Sequence, residues 1–190
     1  AADITARALT ITATGQNKVY DGTANATVTP SDDRVAGDAL TFTATATFAN
    51  KNVGTGKTIN VTGINLGGTD AGNYTYNTTA TTAADITRAS ITAVTGITAL
   101  DKTEDGTALA TLVLGGASFT GRVPGDSLGV TAATGAFSST LPGTAIPVNI
   151  TGITLGGADA GNYLLTNTTA SASANIYPVP APAPPAPPPA

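Results

Sequence analysis

The chain of 190 residues carries eight basic and twelve acidic side chains, a net charge of −4, and no histidine, cysteine, methionine or tryptophan. Nucleophile–histidine pairs, thiolate chemistry and histidine-containing zinc sites are therefore excluded, and no basic stripe offers the phosphate neutralisation that a nucleic acid needs. Only 11% of residues are charged while about one in five is threonine, a bias that suits strands with a hydroxylated outer face.

No run reaches the ~18–20 apolar residues of a membrane span, and the opening "AADIT" lacks the basic and apolar regions of a signal peptide. Without an initiator methionine the chain is expected to be a processed form or a segment of a longer polypeptide. The absence of cysteine does not by itself assign a compartment.

Along the chain the strand signals come as short runs broken by Gly, Asn, Asp or Pro. They are "ALTITA" (8–13), "ATVT" (26–29), "LTFTATATF" (40–48), "KTINVTGI" (57–64), "NYTYN" (73–77), "TLVL" (111–114), "AIPVNI" (145–150) and "YLLT" (163–166). In the third, Leu40, Phe42, Ala44, Ala46 and Phe48 alternate with four threonines, the period of two that buries one face of a strand. Spacing of roughly 8–12 residues predicts a sandwich or barrel, with six to eight strands per repeat and essentially no helix.

The repeats are explicit. "DGTANAT" (21–27) returns as "DGTALAT" (105–111), "VAGDAL" (35–40) as "VPGDSL" (123–128), and "VTGINLGGTDAGNY" (61–74) as "ITGITLGGADAGNY" (150–163). One order and one separation, the size of a small sandwich, predict two tandem domains, 1–86 and 87–177. "DIT" at 3–5 matches "DIT" at 85–87, so residues 3–5 read as the closing strand of an upstream copy. Residues 178–190, holding eight of the twelve prolines, read as a polyproline spacer or tail.

Three patterns invite chemistry. "NVGTGKT" (52–58) ends like a phosphate loop, but position 51 is lysine where the motif needs glycine, and the run continues into a strand pattern. Asp32, Asp33 and Asp38, or Asp70 with Asp159, could be grouped as acid–base or calcium ligands, yet "GGTDAGN" supplies one carboxylate where calcium needs six to eight oxygens. Gly67, Gly68, Asp70, Gly72 and Asn73, with Gly156, Gly157, Asp159, Gly161 and Asn162 in the second copy, are read as turn-formers, Asp and Asn bonding to their own backbone two residues on. No metal, cofactor or catalytic residue is assigned.

Tyr74 and Tyr163 follow the corner and are expected to pack inward with the hydroxyl on loop backbone, as a tyrosine corner does. Tyr20, whose counterpart is Glu104, and Tyr76 are the candidate contact residues for a ligand. Six glycosylation sequons begin at Asn25, Asn60, Asn73, Asn77, Asn149 and Asn167.

At "YDGTANAT", "VAGD", "FANKNVGTGK" and "GINLGGTDAGNY", residues 20–74, the chain resembles the YDG domain, and the resemblance runs over nearly both copies, about residues 3–177. The second copy departs at Glu104 and at "SSTLPGTA". The resemblance implies an immunoglobulin-like β-module found in strings within large bacterial adhesins of the filamentous-haemagglutinin type, exported by an outer-membrane partner, hence an extracellular or cell-surface location. It implies no catalytic residues.

Three roles are expected in this order. The first is a stalk or spacer whose partners are neighbouring repeats of the same chain. The second is a homo-oligomer or filament built by strand-edge pairing. The third is a module for cell-surface glycan. An enzyme ranks last, because a carboxylate pair needs a cleft and this chain has one glutamate and acids mostly at turns.

Overall fold

A computed structural model describes residues 2–182. Strands dominate, and the only helical segments among the described residues are single 3-10 turns at Ala71–Asn73 and Ala160–Asn162. Two compact units divide the chain. One is built on the chain up to Ala89 and takes in Val123–Gly125 and Gly161–Leu164; the other is built on Ser90–Arg122, Asp126–Ala160 and the chain from Leu165. Of the proline-rich tail, residues 183–190 lie outside the described residues, and 178–182 form no strand.

The first unit contains β1 (Arg7–Leu9), β2 (Ile11–Gly15), β3 (Lys18–Val19), β4 (Val28–Asp32), β5 (Thr41–Phe48), β6 (Gly54–Gly67), β7 (Tyr74–Tyr76) and β8 (Thr79–Thr87). Four of these make a sheet in the order β3-β8-β6-β5, in which β8–β6 and β6–β5 are antiparallel while β3 runs parallel to β8. A ribbon of β2 and β4 forms the facing layer, and β1 pairs parallel with β7. Between the layers lie Ile11, Leu40, Phe48, Ile59, Val61, Ile64, Leu66, Ala84 and Ile86, all buried.

Burial along β6 changes phase once. Ile59 and Val61 point inward, then Ile64 and Leu66 do, and Gly63, at φ 62°, sits between them at a register break against β5. One extra residue in a strand turns every later side chain to the other face, so the bulge keeps both pairs in the core.

The remaining strands are β9 (Ala89–Ile91), β10 (Ala93–Thr95), β11 (Thr98–Ala99), β12 (Lys102–Thr103), β13 (Leu109–Ala110), β14 (Leu112–Val113), β15 (Ser118–Thr120), β16 (Gly129–Phe137), β17 (Gly143–Gly156), β18 (Tyr163–Leu165) and β19 (Ala170–Tyr177). The second unit's sheet runs β12-β19-β17-β16-β13, again with its early strand β12 parallel to its last strand β19. Ile146, Val148, Ile150, Ile153, Ala174 and Ile176 fill its core together with Phe119 and Phe137.

Eleven strands replace the expected six to eight because the facing layer is split and because β13, whose counterpart in the first copy is only the bridge Asn25↔Thr47, is a strand here. β10–β15 and β11–β14 are two separate ribbons where the first unit has the single ribbon β2–β4. The longer connection "LGGAS" (114–118) accounts for the split, since the loop consumes residues that the first copy uses for pairing.

Candidate functional site

The duplicated corner joins two motifs far apart in sequence. In the first copy Asp70 Oδ2 accepts the Ala39 N–H (2.9 Å), and in the second Asp159 Oδ2 accepts the Ser127 N–H (2.9 Å). Gly68 (φ 109°) and Gly157 (φ 103°) lie so close to that same strand entry that a Cβ would stand 2.1 Å from Ala39 O or 2.4 Å from Ser127 O. Only glycine meets both the left-handed backbone and the contact.

The local Asx turn expected of Asp70 is therefore corrected. Its carboxylate makes no cap bond to the 3-10 turn that follows, and reaches 31 residues back instead. Gly72 and Gly161, also expected as turn-formers, have open space where a Cβ would go and no positive φ, so the turn does not require glycine there.

Tyr74 completes the lock. Its ring is buried, its hydroxyl accepts the Val35 N–H (3.0 Å) and donates to Asp38 Oδ2, and the bond to Asp38 holds its phenol above the ordinary tyrosine range. In the second copy Tyr163 is likewise buried and accepts the Val123 N–H (2.9 Å). The tyrosine-corner expectation describes both. Asn73 N–H closes the turn on Asp70 O (3.0 Å), and Asn162 is buried.

A second duplicated device was not singled out in the sequence. Lys18 Nζ bonds to Asp21 Oδ1 (2.8 Å), Thr23 O (2.9 Å) and Asn25 O (2.9 Å), and lies 5.7 Å from the centroid of the Phe48 ring. Lys102 repeats this with Asp105 Oδ1 (2.7 Å), Thr107 O (2.7 Å), Leu109 O (3.3 Å) and the Phe137 ring at 5.6 Å. In each, the aspartate also accepts the N–H and hydroxyl of the threonine two residues on, all at 2.9 Å.

The Asp-Gly-Thr tripeptide is thus a cage for one ammonium ion. The signal is Lys-x-x-Asp-Gly-Thr in both copies (18–23 and 102–107), with the lysine three residues before the duplicated "DGTANAT" and "DGTALAT" blocks. Desolvation lifts the Asp21 carboxyl, and the bonds from Lys18 and Thr23 outweigh it, leaving the group below its usual range. Bonds from Lys102 and Thr107 bring Asp105 down to about 2.

A third device clamps the parallel strands. In the first unit Asn17 Oδ1 accepts the Asp85 N–H (2.7 Å), and Asp85 Oδ1 in turn accepts the Gly56 N–H (2.8 Å). The second unit exchanges the side chains: Asp101 Oδ1 accepts the Asn175 N–H (2.7 Å), and Asn175 Oδ1 accepts the Ala145 N–H (2.8 Å). Asn175 backbone and side-chain N–H groups, with the Tyr177 hydroxyl, hold the Asp101 carboxyl below its usual range. The phosphate-loop look of "GTGKT" dissolves here, because Gly54–Gly67 is one long strand and Gly56 is a bulge near its start.

Asp32 and Asp33 are likewise used by the chain. Asp32 forms a two-bond pair with Arg34 (2.8 and 2.6 Å), which lowers its proton affinity, and Asp33 Oδ1 accepts the Thr10 N–H (2.8 Å). No group of three or more acidic side chains able to hold a metal ion occurs among the described residues. Tyr20 is corrected as a contact residue: it is 3% exposed, with the Lys51 ammonium 5.7 Å from its ring centroid. What the two copies share at Tyr20 and Glu104 is the backbone N–H, donated to Thr87 O and to Tyr177 O, each at 2.8 Å. Tyr76 is partly exposed, its hydroxyl 3.4 Å from Asn65 Oδ1.

Among the sequons, Asn77 has no free amide. It accepts the Ile11 N–H (2.7 Å) and donates to Ile11 O (2.9 Å) and Thr79 O (2.8 Å), tying β2 to the bend before β8.

Corner, cage and clamp, each present twice in an all-β frame and each closed on the chain itself, define a tandem β-repeat protein. The YDG domain matches residues 5–83 and again 87–171, and the chain belongs to that family. No curated protein and no solved structure matches it.

Proposed function

We propose that the chain is a structural repeat module of an extracellular bacterial adhesin, a stalk or spacer whose task is to stay folded under load. The observation that carries this reading is the parallel pairing of an early strand with the last strand in each unit: Lys18↔Ile86 and Val19↔Thr87, then Lys102↔Ile176 and Thr103↔Tyr177. Tension that draws an early and a late parallel strand in opposite directions shears all their cross-links together, whereas a hairpin end unzips bond by bond.

The links at this point are dense. Beyond the strand ladder, the Asn17–Asp85 and Asp101–Asn175 bonds and the backbone bonds of Tyr20 and Glu104 cross the same seam. The lysine cage pins each early strand to the loop that follows it. No helix among the described residues is long and apolar enough to cross a membrane.

Screening the immobilised chain and its Tyr76→Ala variant against a saccharide panel tests the reading. A spacer leaves both blank. A micromolar affinity that disappears in Tyr76→Ala would replace the spacer with a glycan-binding module.

A further inference from the structure

Residues 1–5 spell "AADIT", the same five residues as 83–87. At 83–87 they form the end of β8, where Ala84 is 7% and Ile86 1% exposed. At the other position the described part, 2–5, forms no strand, and Ile4 is 100% exposed. A segment with demonstrated strand-forming sequence and an uncovered branched side chain thus stands unpaired.

The first unit also has an open seam. β5 is the last strand of its sheet, and beyond β6 only the bridge Asn25↔Thr47 and neighbouring bonds at Ala46 and Phe48 occupy its far end. Among the described residues no further strand pairs with Thr41–Thr45. Facing β5 across the sandwich is the other edge, β4, whose Pro30 blunts it against pairing.

Between these edges lies a cleft of about 340 Å³, lined by apolar side chains that include Ile11, Val28, Phe42, Ala44, Val61 and Ile64. An apolar cavity of about 150 Å³ already takes a benzene-sized guest, so this one has room for an aliphatic side chain.

We propose that the segment Ala2–Thr5 of a second copy of this chain adds to the open edge of β5 and seats Ile4 in the cleft. Backbone bonds along Thr41–Thr45 supply the pairing, and the alternation Ala2, Ile4 against Asp3, Thr5 turns one apolar face toward the gap and one polar face to water. The occupant is chosen on its sequence, whose identical copy at 83–87 is a strand of this same sheet, between β3 and β6. This inference goes beyond the spacer reading, which requires only that each unit be folded.

Sedimentation of the full chain from micromolar to millimolar concentration, with methyl spectra of Val61 and Ile64, tests it. The expected result is a rise in mean mass with concentration and shifted Val61 and Ile64 methyls. Association should weaken roughly tenfold or more in Ile4→Asp and in Ala44→Lys and persist in Ile4→Val. Ile4 touches nothing within its own unit, so Ile4→Asp keeps the monomer's thermal stability. A monomer at every concentration, or association that survives Ile4→Asp or Ala44→Lys, overturns the proposal.

Discussion

Ala145 is the one non-glycine residue with positive φ among those described, at 51°, and it occupies the bulge that Gly56 (φ 56°) occupies in the other copy. A Cβ at Gly56 would meet nothing within 4 Å, so the difference between the two sites is backbone strain alone. The left-handed region costs an L-residue about 1 kcal/mol. Ala145→Gly is therefore expected to stabilise its unit by about 1 kcal/mol, and Gly56→Ala to destabilise the other by a similar amount, both read from chemical denaturation.

At the same scale, Asp105 titrates near 2 when folded against 3.8 as its ordinary value. A depressed carboxyl stabilises the fold above the unfolded value and ceases to do so as pH falls through the folded one. The Lys102–Asp105 contribution is thus complete above about pH 4, within the ordinary carboxylate range, and fades toward pH 2. Lys102→Met should raise the Asp105 midpoint toward 3.8 in a carbon-detected titration and leave Thr107 with its aspartate bonds. An unmoved midpoint would show that the cage does not act through its lysine.

Among the elements, the two closing strands each bury one isoleucine almost completely, Ile86 at 1% and Ile176 at 2% exposed. Ile86→Ala and Ile176→Ala should each cost about 2–5 kcal/mol, the range for an aliphatic core deletion. Thermal unfolding of each variant checks this. Tyr74→Phe removes the hydroxyl that serves Val35 N–H and Asp38, and stranding those partners is worth about 1–3 kcal/mol, with the loss confined to the first unit.

β5 was legible in the sequence because phenylalanine and threonine alternate within it, and the corner was legible because the same nine residues come back almost unchanged. Of β8 and β19 only the closing "DIT" (85–87) and "NIY" (175–177) were legible. "TATTAADIT" and "ASASANIY" bury small alanines and one isoleucine each between sheet neighbours, so their apolar signal is faint although they are central strands. β6 and β17 defeat a strict alternation for another reason, since a glycine bulge shifts the phase midway. The lysine cage escaped because an ammonium ringed by carbonyls looks, in sequence, like any surface lysine.

For the molecule as a whole, two copies have kept the same contacts while exchanging the residues that make them. Asn17 with Asp85 becomes Asp101 with Asn175, one amide and one carboxylate in either order. Asn17→Asp would set two carboxylates in the first unit's clamp, weakening it at neutral pH and less so in acid as one takes up a proton. The comparison of melting temperature at pH 7 and pH 4 reads this, and a variant that melts like wild type at both would mean the pair carries no electrostatic constraint.

Pulling single molecules of the chain from its two ends tests the mechanical role most directly. Two unfolding steps of similar high force are expected, releasing roughly 280 and 310 Å of chain less the folded length, from about 3.6 Å per residue over the matched domains 5–83 and 87–171. Asn175→Ala should lower the force of one step only. Units that give way at low force, or a force unchanged when the clamp residue is removed, would contradict a load-bearing stalk.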